Sequence, residues 1–210
     1  MVKRLEEYYD RYWKGEVKIQ EPPVTMPQRK YFVDIIRPYL KGKCLDIGCG
    51  NGNLTNLISG IVEASGCDVS KVAIASAKKR FPKIKFKTCS VTDLAFKDKE
   101  FDCASSFEVV EHVYDNEKAF CEFNRVLKKG GYLFVSTPVY TPLKNLLITL
   151  FMWDEYFNPN HPHVRFYTKK SLYDMLRKHG FRPVKYMIDG RVLGIIPKAI
   201  LVIAKKVKDC

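Results

Sequence analysis

The spacing of apolar residues changes period several times along this chain, and each change marks an element. Val2 to Trp13 alternates charged and aromatic residues at helical spacing, which predicts a short amphipathic helix. A Pro-containing stretch from Glu21 to Pro27 follows, and apolar positions Phe32, Ile35, Ile36 and Tyr39 predict a second helix over Gln28 to Leu40. Short apolar runs then alternate with helical patterns. Strands are expected at Cys44–Ile47, Ile61–Cys67, Ile84–Lys87 and Phe101–Phe107, with helices at Asn53–Ser59, Lys71–Arg80 and Asn116–Leu127. Gly130-Gly131 reads as the cap of that last helix and the opening of a strand over Tyr132–Ser136. Helix Lys169–His179, stopped by Gly180, leads to strand Val184–Ile188, and Ala199–Ala204 closes the chain as a seventh strand. Such alternation builds an α/β fold with a doubly wound, mostly parallel sheet and right-handed crossovers. The last two strands are joined through Gly190 to Lys198 without a helix, so the final strand is expected to run antiparallel.

At 210 residues the chain suits one domain with a substantial core, or one domain with an appendage. Two apolar stretches, Leu143 to Trp153 and Val192 to Ala204, are shorter than the ~20 residues a membrane span needs, so no transmembrane segment is expected. The second reads as a hairpin into the final strand. The first is either a helix packed on the domain or an apolar lid that receives a greasy acceptor and touches a membrane surface. Met1 to Tyr12 is charged and lacks the apolar core of a leader peptide. Seven scattered cysteines without a C-x-x-C pair read as reduced thiols, and the expected location is cytoplasmic. The net charge of +13 is unevenly placed: residues 125–210 carry 16 basic and 5 acidic side chains, whereas residues 41–124 carry 12 of each. That excess suits either an anionic partner, nucleic acid or membrane, or lysines on solvated helix faces.

The densest chemistry lies in Cys44 to Gly52, CLDIGCGNG. An apolar strand end containing Asp46 runs into glycines at Gly48, Gly50 and Gly52, and a helix follows. Glycines remove Cβ atoms where a backbone must approach a ligand, and the helix start aims N–H groups at the same place. A dinucleotide turn would read G-x-G-x-x-G, whereas this run is G-x-G-x-G. Asp68 ends the next strand about 20 residues beyond the loop, where a ribose-binding acid belongs.

In this form the loop resembles motif I of the class I S-adenosylmethionine-dependent methyltransferases. Further blocks occur in that family's order: GCDVS (66–70), FDCASSFEVVEHV (101–113), LKKGGYLFVSTP (127–138) and HVRFYTKKSLYDMLRKHGF (163–181). The last is similar to a segment of the ubiquinone-biosynthesis-like O-methyltransferase branch. The resemblance implies a Rossmann-like methyltransferase fold over residues 28–210, with residues 1–27 as a helix and linker capping the cofactor site. It also implies S-adenosylmethionine as cofactor, with Asp46, Gly48, Cys49, Gly50 and Gly52 at its methionine portion, Asp68 at the ribose, and Val69 and Phe107 in the pocket. Where the family usually carries Gly-Asp for the adenine, this chain has Cys89-Ser90, so Ser90, Asp93 or the backbone of Val91 would serve instead.

Glu108, Glu111 and His112 are expected to open a helix, where their spacing puts them on one face. By resemblance an E-x-x-E-H here binds a divalent cation, with His161 or His163 as a further ligand; the other reading is a helix start lining the pocket. With or without metal, His112 is the candidate general base, with Glu111 beside it, since imidazole titrates near neutrality. Phe107, Tyr140, Trp153, Tyr156 and Phe157 offer aromatic walls, which favours O-methylation of a small aromatic or lipid-like hydroxyl acceptor. RNA 2′-O-methylation, N- or C-methylation of another metabolite, and a non-catalytic cofactor-binding subunit remain as alternatives.

Overall fold

The computed structural model describes residues 2–17, 25–157, 162–192 and 196–210. Helices α1 (Val2–Trp13) and α2 (Met26–Ile36) precede β1 (Lys43–Ile47). Then come α3 (Asn53–Ser59), β2 (Glu63–Asp68), α4 (Lys71–Arg80), β3 (Lys85–Thr88) and β4 (Phe101–Phe107). Helix α5 (Asn116–Val126) runs directly into β5 (Leu127–Pro138), followed by α6 (Pro142–Phe151), the single turn α7 (Trp153–Tyr156) and α8 (Lys169–Lys178). Strands β6 (Phe181–Val192) and β7 (Ile196–Lys206) complete one seven-stranded sheet of order β3-β2-β1-β4-β5-β7-β6. β7 runs antiparallel to both β5 and β6, and the remaining pairings are parallel. The doubly wound architecture and the antiparallel last strand agree with the apolar pattern.

Period two along the central strands sends alternate residues into two layers. Leu133, Val135, Ile200 and Val202 meet Phe120, Phe123, Leu172 and Leu176 of α5 and α8 on one face. On the other, Phe134, Leu201 and Ile203 meet Phe32, Val33 and Ile36 of α2 and Leu54 and Ile58 of α3. Burial on both faces explains why these strands read as continuous apolar runs. The strand order reverses between β1 and β4, so a crevice opens beyond their carboxyl ends.

Three expectations are corrected. The Gly130-Gly131 pair does not cap α5, whose helix stops at Val126. It lies inside β5, where the pairing with β4 jumps from Phe101–Leu127 to Cys103–Tyr132. Gly130 has φ +78°, and a Cβ on Gly131 would come within 2.9 Å of two carbonyl oxygens, so the pair serves an irregularity in the strand. The cysteines are not all reduced: Cys121 and Cys210 form a disulfide across 89 residues, a proximity that no local spacing could reveal. The last two strands extend well past their apolar centres, because cross-strand pairing from Phe181 to Val192 includes the polar flanks.

Candidate active site

The crevice contains a cavity of about 370 Å³, within the range of small-molecule sites. The glycine loop forms its floor. Gly48 N and Cys49 N both donate to the Cys67 carbonyl, at 2.8 and 2.9 Å, which ties the loop to the end of β2. Gly48 and Gly50 adopt φ of +74° and +52°, and a Cβ on either would collide, at 2.3 Å with Val109 and at 2.5 Å with Trp13. Gly52 does not line the cavity; at φ +79° it caps α3, and its missing Cβ makes room for Phe86.

Asp46 is 2% exposed, with Thr55 donating to Oδ2 at 2.7 Å and Ser105 to Oδ1 at 2.9 Å. Register explains the second bond, since Asp46 and Ser105 are direct neighbours on β1 and β4. Burial outweighs these hydroxyls and the nearby Arg29, and holds the Asp46 carboxyl at about 6. A raised acid pKa means that the folded chain holds this proton more tightly than the unfolded one. The associated stabilisation is full below the ordinary value of 3.8 and is lost as pH rises through about 6. Two pH units correspond to at most about 3 kcal/mol. Asp46→Asn should therefore gain stability relative to the parent as pH is raised from about 4 to about 7, by up to about 3 kcal/mol in urea unfolding. A pH-independent difference would show that Asp46 does not titrate in this window.

Asp68 accepts from Gly50 N and Ser70 N, each at 2.9 Å, and burial raises its carboxyl pKa against those two bonds. It thus faces the cavity from the end of β2, with Val69 beside it. Cys89, Ser90, Val91 and Phe107 also line the cavity, whereas Asp93 does not. Ser90 Oγ lies 2.8 Å from Thr92 Oγ1 and accepts from Thr92 N at 3.2 Å, so a tight turn sets its position.

Helix α1 closes the cavity with Leu5, Tyr9, Tyr12 and Trp13, and α2 contributes Arg29. Spacing in the glycine motif could not point to these residues; the aromatic face of α1 was the available signal. The helix is anchored by Asp10, which accepts from Ser70 Oγ at 2.6 Å and Val72 N at 3.2 Å, and by a Glu6–Lys71 ion pair at 2.5 Å.

The segment after β4 departs from the expected helix. Only Val110–His112 form a 3-10 turn, and Glu108 has φ +54°. Glu108, Glu111 and His112 therefore do not share one helical face. Glu108 lines the cavity and accepts from Ser136 Oγ at 2.7 Å. Glu111 is 1% exposed and accepts from Thr137 Oγ1 at 3.0 Å. The donor atoms of Glu111, His112 and His163 lie within 4.8 Å of one another, so among the described residues the potential cation ligands here are these three, without Glu108. His161 falls outside the described residues. His112 lines the cavity, with its ring 4.7 Å from that of His163 and 5.9 Å from that of Tyr9. His112 Nδ1 lies 3.2 Å from the Pro162 carbonyl, which can only accept. The Nδ1–H tautomer satisfies that contact and leaves the lone pair on Nε2, 3.9 Å from Glu111 Oε1. Burial and the Glu111 charge push the Tyr9 phenol well above its usual range.

A left-handed glycine cradle at the switch point, an acid at the end of the second strand and an enclosing aromatic helix together suit an adenosine-bearing cofactor. A family model described as a methyltransferase domain matches residues 25–186. The chain belongs to the class I S-adenosylmethionine-dependent methyltransferases, and S-adenosylmethionine is the cofactor of that class. It is 32% identical over 95 residues to a probable S-adenosylmethionine-dependent methyltransferase of Mycolicibacterium smegmatis, covering 45% of this chain and 37% of that one. It is 29% identical over 142 residues to the ubiquinone biosynthesis O-methyltransferase of Thiobacillus denitrificans, covering 65% and 61%. The matches thus span less than two thirds of the length of these relatives, 37% of one and 61% of the other. In fold it is similar to an S-adenosylmethionine-dependent methyltransferase from Methanosarcina mazei, with a TM-score of 0.67 and 23% identity over 82% of this chain and 97% of that one.

Proposed function

We propose that the chain methylates a hydroxyl group of a small aromatic or lipid-like acceptor. The observation that carries this reading is His112, held at the cavity wall with Nδ1 on a backbone carbonyl and Nε2 as the basic nitrogen. Bound S-adenosylmethionine supplies an electrophilic methyl group on a sulfonium. The glycine loop and Asp68 would hold that cofactor, and Arg29, which lines the cavity, would meet its carboxylate. His112 Nε2 would take the proton of the acceptor hydroxyl, and the cavity walls would orient that hydroxyl toward the methyl group such a cofactor supplies. Glu111 Oε1 lies 3.9 Å from that nitrogen, and the Tyr9 ring packs edge-on against the imidazole at 5.9 Å.

The acceptor class is supported by the elements after β5. Leu146, Leu150, Phe151, Trp153 and Phe157 of the α6–α7 segment are exposed, as is Phe166, and Tyr140 packs between Tyr156 and Phe166. Exposed apolar side chains in this number suit an apolar acceptor or the surface of a bilayer, and no helix among the described residues is long and apolar enough to cross a membrane. The name of the Thiobacillus relative points the same way.

A second reading rests on the Glu111, His112 and His163 donors, which suit a divalent cation such as Mg²⁺, Mn²⁺ or Zn²⁺. Held there, the ion would lower the pKa of an acceptor hydroxyl, as in a metal-dependent RNA 2′-O-methyltransferase, and the basic last third would meet the phosphates. Transfer of tritiated methyl into total lipid, small-metabolite and RNA extracts, with and without EDTA, separates the two. Label in the organic-soluble fraction that resists EDTA is expected. Label confined to RNA and abolished by EDTA would replace the first reading by the second.

A further inference from the structure

A second cluster of metal-ligating side chains lies away from the cavity. Cys121 on α5, His179 at the end of α8 and Cys210 each offer a donor atom, and the three atoms lie within 4.8 Å of one another. None of the three lines the cavity. Segments far apart in sequence converge here because one buried side chain binds them all. Asn124, 1% exposed, donates from Nδ2 to the carbonyls of His179 (2.8 Å) and Lys208 (2.9 Å), and its Oδ1 accepts from Cys210 N at 3.2 Å. Gly180, at φ +80°, turns the chain after His179, and its carbonyl accepts from Val207 N at 2.9 Å. The arrangement is therefore held by hydrogen bonds independent of the sulfur atoms.

The orientation of His179 points to a cation. This ring is 3% exposed, and its Nδ1 lies 2.9 Å from the Met175 carbonyl, where only a protonated nitrogen bonds. Its Nε2 then faces Glu117 Oε2 at 2.9 Å. The other carboxylate oxygen, Glu117 Oε1, accepts from Lys178 Nζ at 2.6 Å. An imidazole fixed through Nδ1–H by a backbone carbonyl, with Nε2 toward a carboxylate and a ring nitrogen within 4.8 Å of both sulfurs, has the orientation of a metal ligand.

We propose that Cys121 and Cys210 in their dithiol state, with His179 Nε2 and Glu117, bind Zn²⁺, and that exchange with a disulfide oxidant, which takes two electrons from the two thiolates and is itself reduced to a dithiol, releases Zn²⁺ and closes the site as the Cys121–Cys210 disulfide. A dithiol reductant supplies the two electrons and two protons that convert the disulfide into two thiols, and is itself oxidised to a disulfide. Zn²⁺ then displaces those two protons to bind both thiolates. Tetrahedral Zn–S bonds of about 2.3 Å set the two sulfurs about 3.8 Å apart. That requires a small outward movement of Cys210, which is exposed.

The full chain, stripped of metal and reduced under anaerobic conditions, is titrated with Co²⁺ and then with Zn²⁺. One Co²⁺ per chain is expected, with a near-ultraviolet thiolate charge-transfer band and tetrahedral d–d bands, displaced by Zn²⁺. The charge-transfer band cannot arise at Glu111, His112 and His163, which include no sulfur. Cys210→Ser, at an exposed position, and His179→Gln should weaken Zn²⁺ by more than the about 10–100-fold typical of losing an outer-shell partner. The disulfide form of the parent chain should show no band. Circular dichroism of Cys210→Ser confirms that its fold is retained. Absence of the band in the reduced parent, or its persistence in Cys210→Ser, would overturn the assignment.

Discussion

His112→Ala is expected to lower methyl transfer by about 10²–10⁴-fold, the usual contribution of a general base, while S-adenosylhomocysteine still binds. The separation follows from position. His112 stands at the cavity wall beside Tyr9 and His163, whereas the cradle is built from the ends of β1 and β2. Calorimetry on the variant should give an affinity close to that of the parent, with single-turnover transfer carrying the loss. The pH profile should also lose the limb that reports the general base, a change that a merely structural histidine would not produce. Glu111→Ala and His163→Ala distinguish the role of their neighbours: sensitivity to EDTA in the parent, matched by loss in both variants, would assign them to a cation. Transfer unchanged by His112→Ala would remove the catalytic reading of this turn.

Gly50→Val should weaken S-adenosylhomocysteine by about 10–100-fold, because φ in the left-handed region strains a β-branched residue by about 1–3 kcal/mol. Sterics act in the same direction, since a Cβ at this position would reach within 2.5 Å of the Trp13 ring that closes the cavity. Asp68→Ala tests the same site from the opposite wall, where its carboxylate also fixes Gly50 N. Thermal melts guard against simple unfolding. Unchanged binding in Gly50→Val, or NAD bound as tightly as S-adenosylhomocysteine, would remove the cradle from cofactor recognition.

Much of the cofactor side was legible because its determinants are local. Gly48 and Gly50 advertise a left-handed loop through their own lack of a Cβ, and Asp46 and Asp68 stand at strand ends that the apolar runs delimit. The acceptor side was less legible. Spacing of three and four residues places Glu108, Glu111 and His112 together only on a regular helix, and the chain instead makes a single 3-10 turn with Glu108 at φ +54°. His163 then joins His112 from a segment 51 positions away in the chain, through the bonds of Val164 N and Arg165 N to the Glu111 carbonyl, at 2.9 and 3.0 Å.

By itself the sequence determined the sheet and the glycine loop, because apolar period and backbone freedom are properties of short stretches. Only the tertiary structure decided which side chains meet across those stretches. Trp13 on Gly50, Thr55 and Ser105 on Asp46, and Cys121 beside His179 and Cys210 are all contacts between separate elements. Their physical cause is the packing of helices on a twisted, mostly parallel sheet, which converts distance along the chain into proximity at its carboxyl edge and its flank.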